Sequence, residues 1–449
     1  MFNKRIFNMI GYVLLFLGIS MFFSAIWSYL DNSDDLEAIL YSILITSGFG
    51  VLLIFLTQLK ITKIFPYFSF KDRDKLDLSH RDGYTLVSLS WIMMAVFSAL
   101  PFYLYGGPFG SYVDSFFESI SGLTTTGASI LSAQDYSNIP RGLMFWRSFT
   151  HFIGGIGIIV FSIAILPLMG FGGVQLFRAE VAGPVADKLT PRIKQTAKLL
   201  WSIYFGLIIA ETLILLIEGL PLYDSLTHAF ATMATGGFST NGDSIASYPS
   251  IVQYTMILFM ILAASSFSLH FLAFRKGRIE YFKDQEFKVY AAIMVVFTLV
   301  FFTDNYLVNF FKSGNFEEGF RNSLFTSVSL LTTTGFSTAD YQEWGYTSQT
   351  MVFVLLFIGG CAGSTTGGIK IIRTILVFKF LIRELKKLIH PKGVFKIKIG
   401  SKKVSEEIVH NTVGFYLFYI FIFVFAAIIF ACLGLNFNTA LSVSASAIG

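Results

Sequence analysis

"DSFFESISGLTTTGAS", residues 114–129, is the stretch on which the fold turns. It opens on an acidic residue, continues through a short half-apolar run, and closes on three threonines and a glycine. "DSLTHAFATMATGGFS" (224–239) and "NSLFTSVSLLTTTGFS" (322–337) repeat it. In each, an Asp or Asn followed by Ser stands 13 residues before the last matched glycine: Asp114 and Gly127, Asp224 and Gly237, Asn322 and Gly335. A fourth start, "NTALSVSASAIG" (438–449), shares the opening and reaches Gly449 two residues before that spacing is complete. A fixed offset recurring at this scale marks an internal repeat.

Around these polar strips the chain is apolar. Its 449 residues are 54% hydrophobic, 17% aromatic and 14% charged, with a mean hydropathy of +0.66, whereas soluble domains carry about 25% charged residues. Apolar runs at 9–30, 38–58, 85–105, 199–219, 251–274 and 289–311 are each long enough to cross a ~30 Å hydrocarbon core. The expected fold is an all-α polytopic membrane protein. The first run follows "MFNKR", has no small-residue cleavage site, and reads as a retained helix. Cys361 and Cys432 are too few for a disulfide framework and read as small buried hydrophobes. The six His are scattered without ligand spacing, so neither an enzyme nor a cofactor or transition-metal centre is expected.

Basic residues gather at Lys4–Arg5, Lys60–Arg81, Arg178–Lys198, Arg275–Lys288 and Lys370–Lys403. The connections 31–37, 105–114, 241–250 and 339–348 hold no Lys or Arg. The positive-inside rule therefore places the basic clusters in the cytoplasm and every polar strip near the outer face.

The segment between each Asp/Asn and its strip is too short to span a bilayer. With Asp114, Asp224 or Asn322 as an N-cap, it predicts a re-entrant helix that descends about 15 Å and returns as extended backbone. Glu118, one turn after Asp114, reads as a further cap of the same helix, with an ion ligand as the alternative. Non-helical backbone at membrane depth is tolerated where it is buried in protein or lines water. Backbone carbonyls and Thr hydroxyls are hard oxygen ligands that replace an alkali ion's hydration shell. Glycine lets the backbone turn them inward without a Cβ clash. The strips thus read as walls of an ion filter; the alternative is close helix packing through small residues.

The same residues resemble the TrkH/KtrB/HKT superfamily of potassium transporters, and within it the TrkH branch. The resemblance runs through "SHRDGY" (79–84), "FIGGIGIIVFSIAILP" (152–167), "QLFRAEVAGPV" (175–185), "TPRIKQTAKLLW" (190–201), "GGFST" (236–240) and "IGGCAGSTTGGIKIIR" (358–373). It implies four pseudo-repeated helix–pore loop–helix units around one central pore, plus an N-terminal two-helix hairpin. The boundaries would be 1–68 for the hairpin, then 69–180, 181–284, 285–398 and 399–449 for the units, the fourth incomplete. It implies a potassium filter of Thr125, Thr126 and Gly127; Thr235, Gly236 and Gly237; and Thr333, Thr334 and Gly335. Glycine at 127, where sodium-transporting plant relatives carry serine, points to potassium. The implied partners are a cytosolic TrkA-like nucleotide-binding subunit, a second copy in a homodimer, and the bilayer of the bacterial inner membrane, not nucleic acid. The chain itself carries no P-loop or Rossmann fingerprint.

"GGCAGSTTGG" (359–368) interrupts the expected inner helix of the third unit with five glycines in ten residues, each costing about 1 kcal/mol in a helix interior. A gating loop built from Gly359, Gly360, Gly363, Ser364, Thr365, Thr366, Gly367 and Gly368 is one reading, and small-residue packing the other. Arg147, His151, Glu211, His228 and His270 are intramembrane ionisable residues, candidates for the ion path or for buried pairs. The basic stretch 370–403 reads as a cytoplasmic arm for an acidic partner or anionic lipid. Against a pore stands an ion-coupled carrier moving potassium with H+ or Na+. Such carriers carry inverted repeats, whereas these repeats run parallel.

Overall fold

Residues 4–58, 80–164, 193–277, 279–313, 316–400 and 402–449 are described in the computed structural model. Lys60–Lys75, "QLFRAEVAGPV", most of the basic stretch 178–198 and the expected boundaries at 68/69 and 180/181 lie outside them. Two compact units emerge: 1–174 with 238–242, and 175–237 with 243–449.

The first unit begins with α1 (Lys4–Ser20) and α2 (Phe22–Asp31), which together make one apolar span, and α3 (Leu36–Gln58), which makes a second. Their approach depends on glycine. A Cβ on Gly11 would meet Ile54 and the Gly50 carbonyl at 2.7 and 2.8 Å, and one on Gly50 would meet the Gly11 carbonyl at 2.9 Å. Backbones come this close only through small residues. The acidic connection after α2 is tied down: buried Asp35 accepts the Leu143 N–H at 3.0 Å, at the start of α7 (Arg141–Ala164). Between them lie α4 (His80–Ser98), α5 (Leu100–Tyr105) and the short α6 (Tyr112–Leu123).

The second unit contains α8 (Ile193–Ile217), α9 (Leu222–Met233), α10 (Ser250–Ala264), α11 (Phe267–Lys276) and α12 (Ile279–Lys283). Next come α13 (Gln285–Ser313), α14 (Phe316–Leu331), α15 (Tyr346–Leu355) and α16 (Ile371–Ile389). A two-stranded antiparallel hairpin, β1 (Lys398–Ile399) and β2 (Lys402–Lys403), precedes α17 (Glu406–Cys432) and α18 (Phe437–Ile448). Buried Phe301 of α13 meets Trp344 with ring centroids 5.7 Å apart, and Phe325 of α14 is buried in the same core.

Among the described residues, six helices are long and apolar enough to cross a membrane, or seven if one bent pair is a single span. That pair occupies the apolar run 251–274 and is bent within it. α10 and α11 meet at 98° across Ser265 and Ser266. The backbone groups freed there are satisfied from the glycine-rich loop: Cys361 N–H donates to the Ala264 carbonyl at 2.9 Å, and Phe267 N–H to the Gly363 carbonyl at 3.0 Å.

Candidate functional site

The short helices form where the repeat predicts them. α6 and α9 have 12 residues and α14 has 16, or roughly 18–24 Å at 1.5 Å per residue. Their caps differ from the expected ones. α6 is capped by Ser111, whose hydroxyl accepts the Asp114 N–H at 3.2 Å while Asp114 accepts the Ser111 N–H at 3.1 Å. Asp114 is therefore the third residue of a capping box, one turn inside the cap. The Ser111 hydroxyl, 2.8 Å from the same carboxylate, and then the Ser111 N–H hold the Asp114 carboxyl below its ordinary range. Asp224 occupies the same third position of α9, after Pro221. Asn322 lies within α14, whose first turn carries Glu317 and Glu318 instead. Asn436, two residues before Asn438, caps α18 by accepting the Thr439 N–H at 2.9 Å.

Each short helix ends in one and the same way. Thr126, Gly236 and Thr334 donate backbone N–H groups to Ser121, Ala231 and Ser329 carbonyls at 2.9, 2.8 and 2.9 Å. Thr125, Thr235 and Thr333 donate to Gly122, Thr232 and Leu330 at 3.1, 2.9 and 3.0 Å. These paired bonds make a Schellman motif, whose left-handed residue is ordinarily glycine. Here it is threonine, at φ 58°, 55° and 52°. Two residues on, Gly127, Gly237 and Gly335 are again left-handed, at 73°, 78° and 84°. Residues 126, 236 and 334 between them have negative φ. Alternation in the sign of φ aims successive carbonyls to one side of the chain, whereas a regular strand alternates them. The nine expected filter residues therefore share one conformation, strip by strip.

Side chains fasten the strips. Ser121 Oγ donates to the Ala128 carbonyl and Ser329 Oγ to the Phe336 carbonyl, both at 2.6 Å. In the second unit the strips following α9 and α14 adjoin, since a Cβ on Gly237 would overlap the Thr334 carbonyl. In the first unit Glu118 is neither a cap nor a filter ligand. Fully buried, it accepts from Ser129 Oγ at 2.9 Å, from Ile130 N–H at 3.1 Å, and from Arg147 Nε. Helix amides at its level are already paired, so its carboxylate is free to hold the chain leaving the strip. Arg147 in turn donates to the Ser239 carbonyl at 3.0 Å and lies 3.6 Å from the Phe238 ring centroid. This is a buried pair, costly to break from either side.

The other ionisable candidates are mostly braces. His228 Nδ1 is 2.7 Å from the Asp224 carbonyl within α9. His270 bridges Tyr281 Oη at 2.5 Å and the Leu262 carbonyl at 2.9 Å, spanning the α10–α11 bend. His151 stacks on Phe238 at 4.1 Å. Glu211 is buried in α8, which packs on α9.

α15 and α16 are separated by residues 356–370, so the expected inner helix is broken where the glycines predict it. The loop is held at many points. Gly359 N–H donates to the Ile369 carbonyl at 2.9 Å, and Gly360 N–H to Thr366 Oγ1 at 3.1 Å. Ser364 Oγ donates to the Cys361 carbonyl at 2.6 Å, and Thr365 Oγ1 to the Met233 carbonyl, at the end of α9, at 3.0 Å. Gly367 N–H reaches Thr333 Oγ1 at 2.8 Å, and Gly368 N–H the Gly449 carbonyl at 2.6 Å. Lys370 Nζ donates to Thr366 Oγ1 at 2.8 Å. Gly363 and Gly368 take left-handed φ of 76° and 61°. The loop therefore lies directly against the third strip. Glu286, at the start of α13, also binds it; in the sequence it stands unremarked within the basic cluster 275–288.

Comparison with known proteins agrees with this architecture. A family model described as "TrkH: Cation transport protein" matches residues 50–449. The Trk system potassium uptake protein TrkH of Vibrio parahaemolyticus is 39% identical over 379 residues, covering 83% of this chain and 77% of that one. Its counterpart from Halomonas elongata is 36% identical over 427 residues, covering 94% and 84%. The crystal structure of the potassium transporter TrkH from Vibrio parahaemolyticus superimposes with a TM-score of 0.86 at 32% identity, covering 99% of this chain and 90% of that one.

Proposed function

We propose, from the premise that this chain belongs to the TrkH family of cation transport proteins, that it is the translocating subunit of a Trk-type potassium uptake system. It is a multi-pass protein of the bacterial inner membrane and not an enzyme; potassium is its substrate and no cofactor takes part. The observation that carries the reading is the alternation of φ at 125–127, 235–237 and 333–335, which presents oxygen ligands of the kind an alkali cation needs. We assign the filter to those nine residues and a gate to the loop 359–368. We divide the pore-forming chain at 69–180, 181–284, 285–398 and 399–449, after the hairpin 1–68, the four units meeting on one pore.

We also propose two partners. One is a cytosolic TrkA-like nucleotide-binding subunit, docking on the basic region 370–403. The other is a second copy of the chain. Phe378, Leu381, Leu385 and Leu388 form an exposed apolar stripe down α16, and its far end runs beside Lys386 and Lys387.

The test is rubidium uptake into liposomes holding the full chain, driven by a potassium gradient. Uptake that follows membrane voltage is expected. Uptake no greater than in protein-free vesicles overturns the reading, and uptake that requires an H+ or Na+ gradient replaces the pore with an ion-coupled carrier.

A further inference from the structure

Glu286 is the second residue of α13, far in sequence from the loop it touches. It is buried, and a single carboxylate oxygen, Oε1, accepts two backbone N–H groups: Ala362 at 2.8 Å and Ile372 at 3.1 Å. Ala362 lies on the descending arm of the loop, and Ile372 is the second residue of α16. Helices begin with unpaired N–H groups, and here one of them is satisfied from another helix. The neighbouring residues continue the connection outward. Asp284 Oδ1 accepts the Phe287 N–H at 2.8 Å and caps α13, while Gln285 Oε1 accepts the Gly400 N–H at 2.6 Å, at the tip of the β1–β2 hairpin. Three consecutive residues thus fix a helix start, a hairpin and both arms of the loop.

We infer that Glu286 is a positioning residue for transport: a latch that holds the 359–368 loop in its closed position, with Gln285 tying that latch to the β1–β2 hairpin. The inference rests on the reading of this loop as the gate. The other loop bonds run within the loop, to the third strip, to the end of α9, to both sides of the α10–α11 bend and to Gly449. Glu286 is the acidic side chain that joins its two arms. Displacing the hairpin moves Gln285 and, through the adjacent peptide, withdraws Glu286 from both amides together.

The experiment compares three full-length variants in liposomes: Glu286→Ala, Glu286→Gln, and deletion of Gly363 to Gly367. Rubidium flux without added regulator, the rubidium-to-sodium ratio, and hydrogen exchange at Ala362 and Ile372 are read for each. Glu286→Ala is expected to raise regulator-independent flux roughly ten-fold, the scale of losing one buried hydrogen bond. Exchange at both amides accelerates, and the ion ratio stays at the parent value. Glu286→Gln retains a carbonyl acceptor and falls between; it serves alone if the alanine variant does not fold. If exchange accelerates while flux stays at the parent level, and the deletion still raises flux, the latch is wrong and the gate stands. If the deletion also leaves flux unchanged, the gate falls and the latch with it.

Discussion

Thr125, Thr235 and Thr333 sit where a helix C-terminus ordinarily places glycine. A left-handed conformation costs an L residue about 1–2 kcal/mol, and the chain bears that cost three times over. The hydroxyls are put to use: Thr333 Oγ1 receives the Gly367 N–H, and Thr235 Oγ1 donates to the Ala234 carbonyl at 2.7 Å. At the glycines the strain differs by neighbourhood. A Cβ on Gly335 meets nothing within 4 Å, while one on Gly237 overlaps the Thr334 carbonyl. Gly335→Ala should therefore cost only the ~1–2 kcal/mol of its backbone angle. Gly237→Ala should additionally displace the third strip and abolish discrimination. Gly127→Ser, which adds a Cβ at φ 73° and a competing hydroxyl, should lower the potassium-to-sodium uptake ratio roughly ten-fold, equivalent to ~1.4 kcal/mol. Uptake ratios for the three variants check the order, and an unchanged ratio in Gly127→Ser removes that residue from the filter.

At the scale of elements, the informative feature is a helix that stops and restarts. Between α15 and α16 the chain gives up helical hydrogen bonds and replaces them with contacts to α9, α10, α13, the third strip and Gly449. Deleting Gly363 to Gly367 removes the contacts to α11 and the third strip together. Rubidium flux should rise and lose its dependence on any regulator, while the filter still selects. Flux that keeps the parent's dependence would make the loop packing filler. These breaks are legible in the sequence because glycine density and a fixed offset are local signals. The caps are off by a turn because Ser111 and Asp114 cap each other, and a single residue type cannot report a reciprocal bond. Glu118 and Glu286 escape for a different reason. Their partners Arg147, Ala362 and Ile372 stand 29, 76 and 86 residues away, and nothing in the local pattern of either segment announces that distance. The α10–α11 bend is hidden likewise: Ser265 and Ser266 are its local mark inside an otherwise apolar run, and the loop that satisfies its freed backbone groups, through Cys361 and Gly363, comes from far later in the chain.

Across the whole molecule, charge is gathered where a partner would need it. Lys386, Lys392, Lys396 and Lys398 are exposed, whereas Lys387 is paired to Glu384 at 3.0 Å, which in turn pairs with Arg383. Reversing Lys387 would therefore disturb the end of α16 as well as any docking. Lys386→Glu with Lys392→Glu is the cleaner change, and it should weaken co-purification of an acidic regulatory subunit several-fold and flatten the salt dependence of binding. Binding that survives with its salt dependence intact moves the docking surface elsewhere. The glycine-lined approach of α1 to α3 has a consequence of another kind. Their partners are each other, within the first 58 residues, so the hairpin needs no later segment to bury its small faces. As the chain emerges from the ribosome, this pair can leave the insertion machinery already assembled. It then offers a finished wall of side chains against which α4 settles, a closed two-helix piece rather than a solitary helix in lipid.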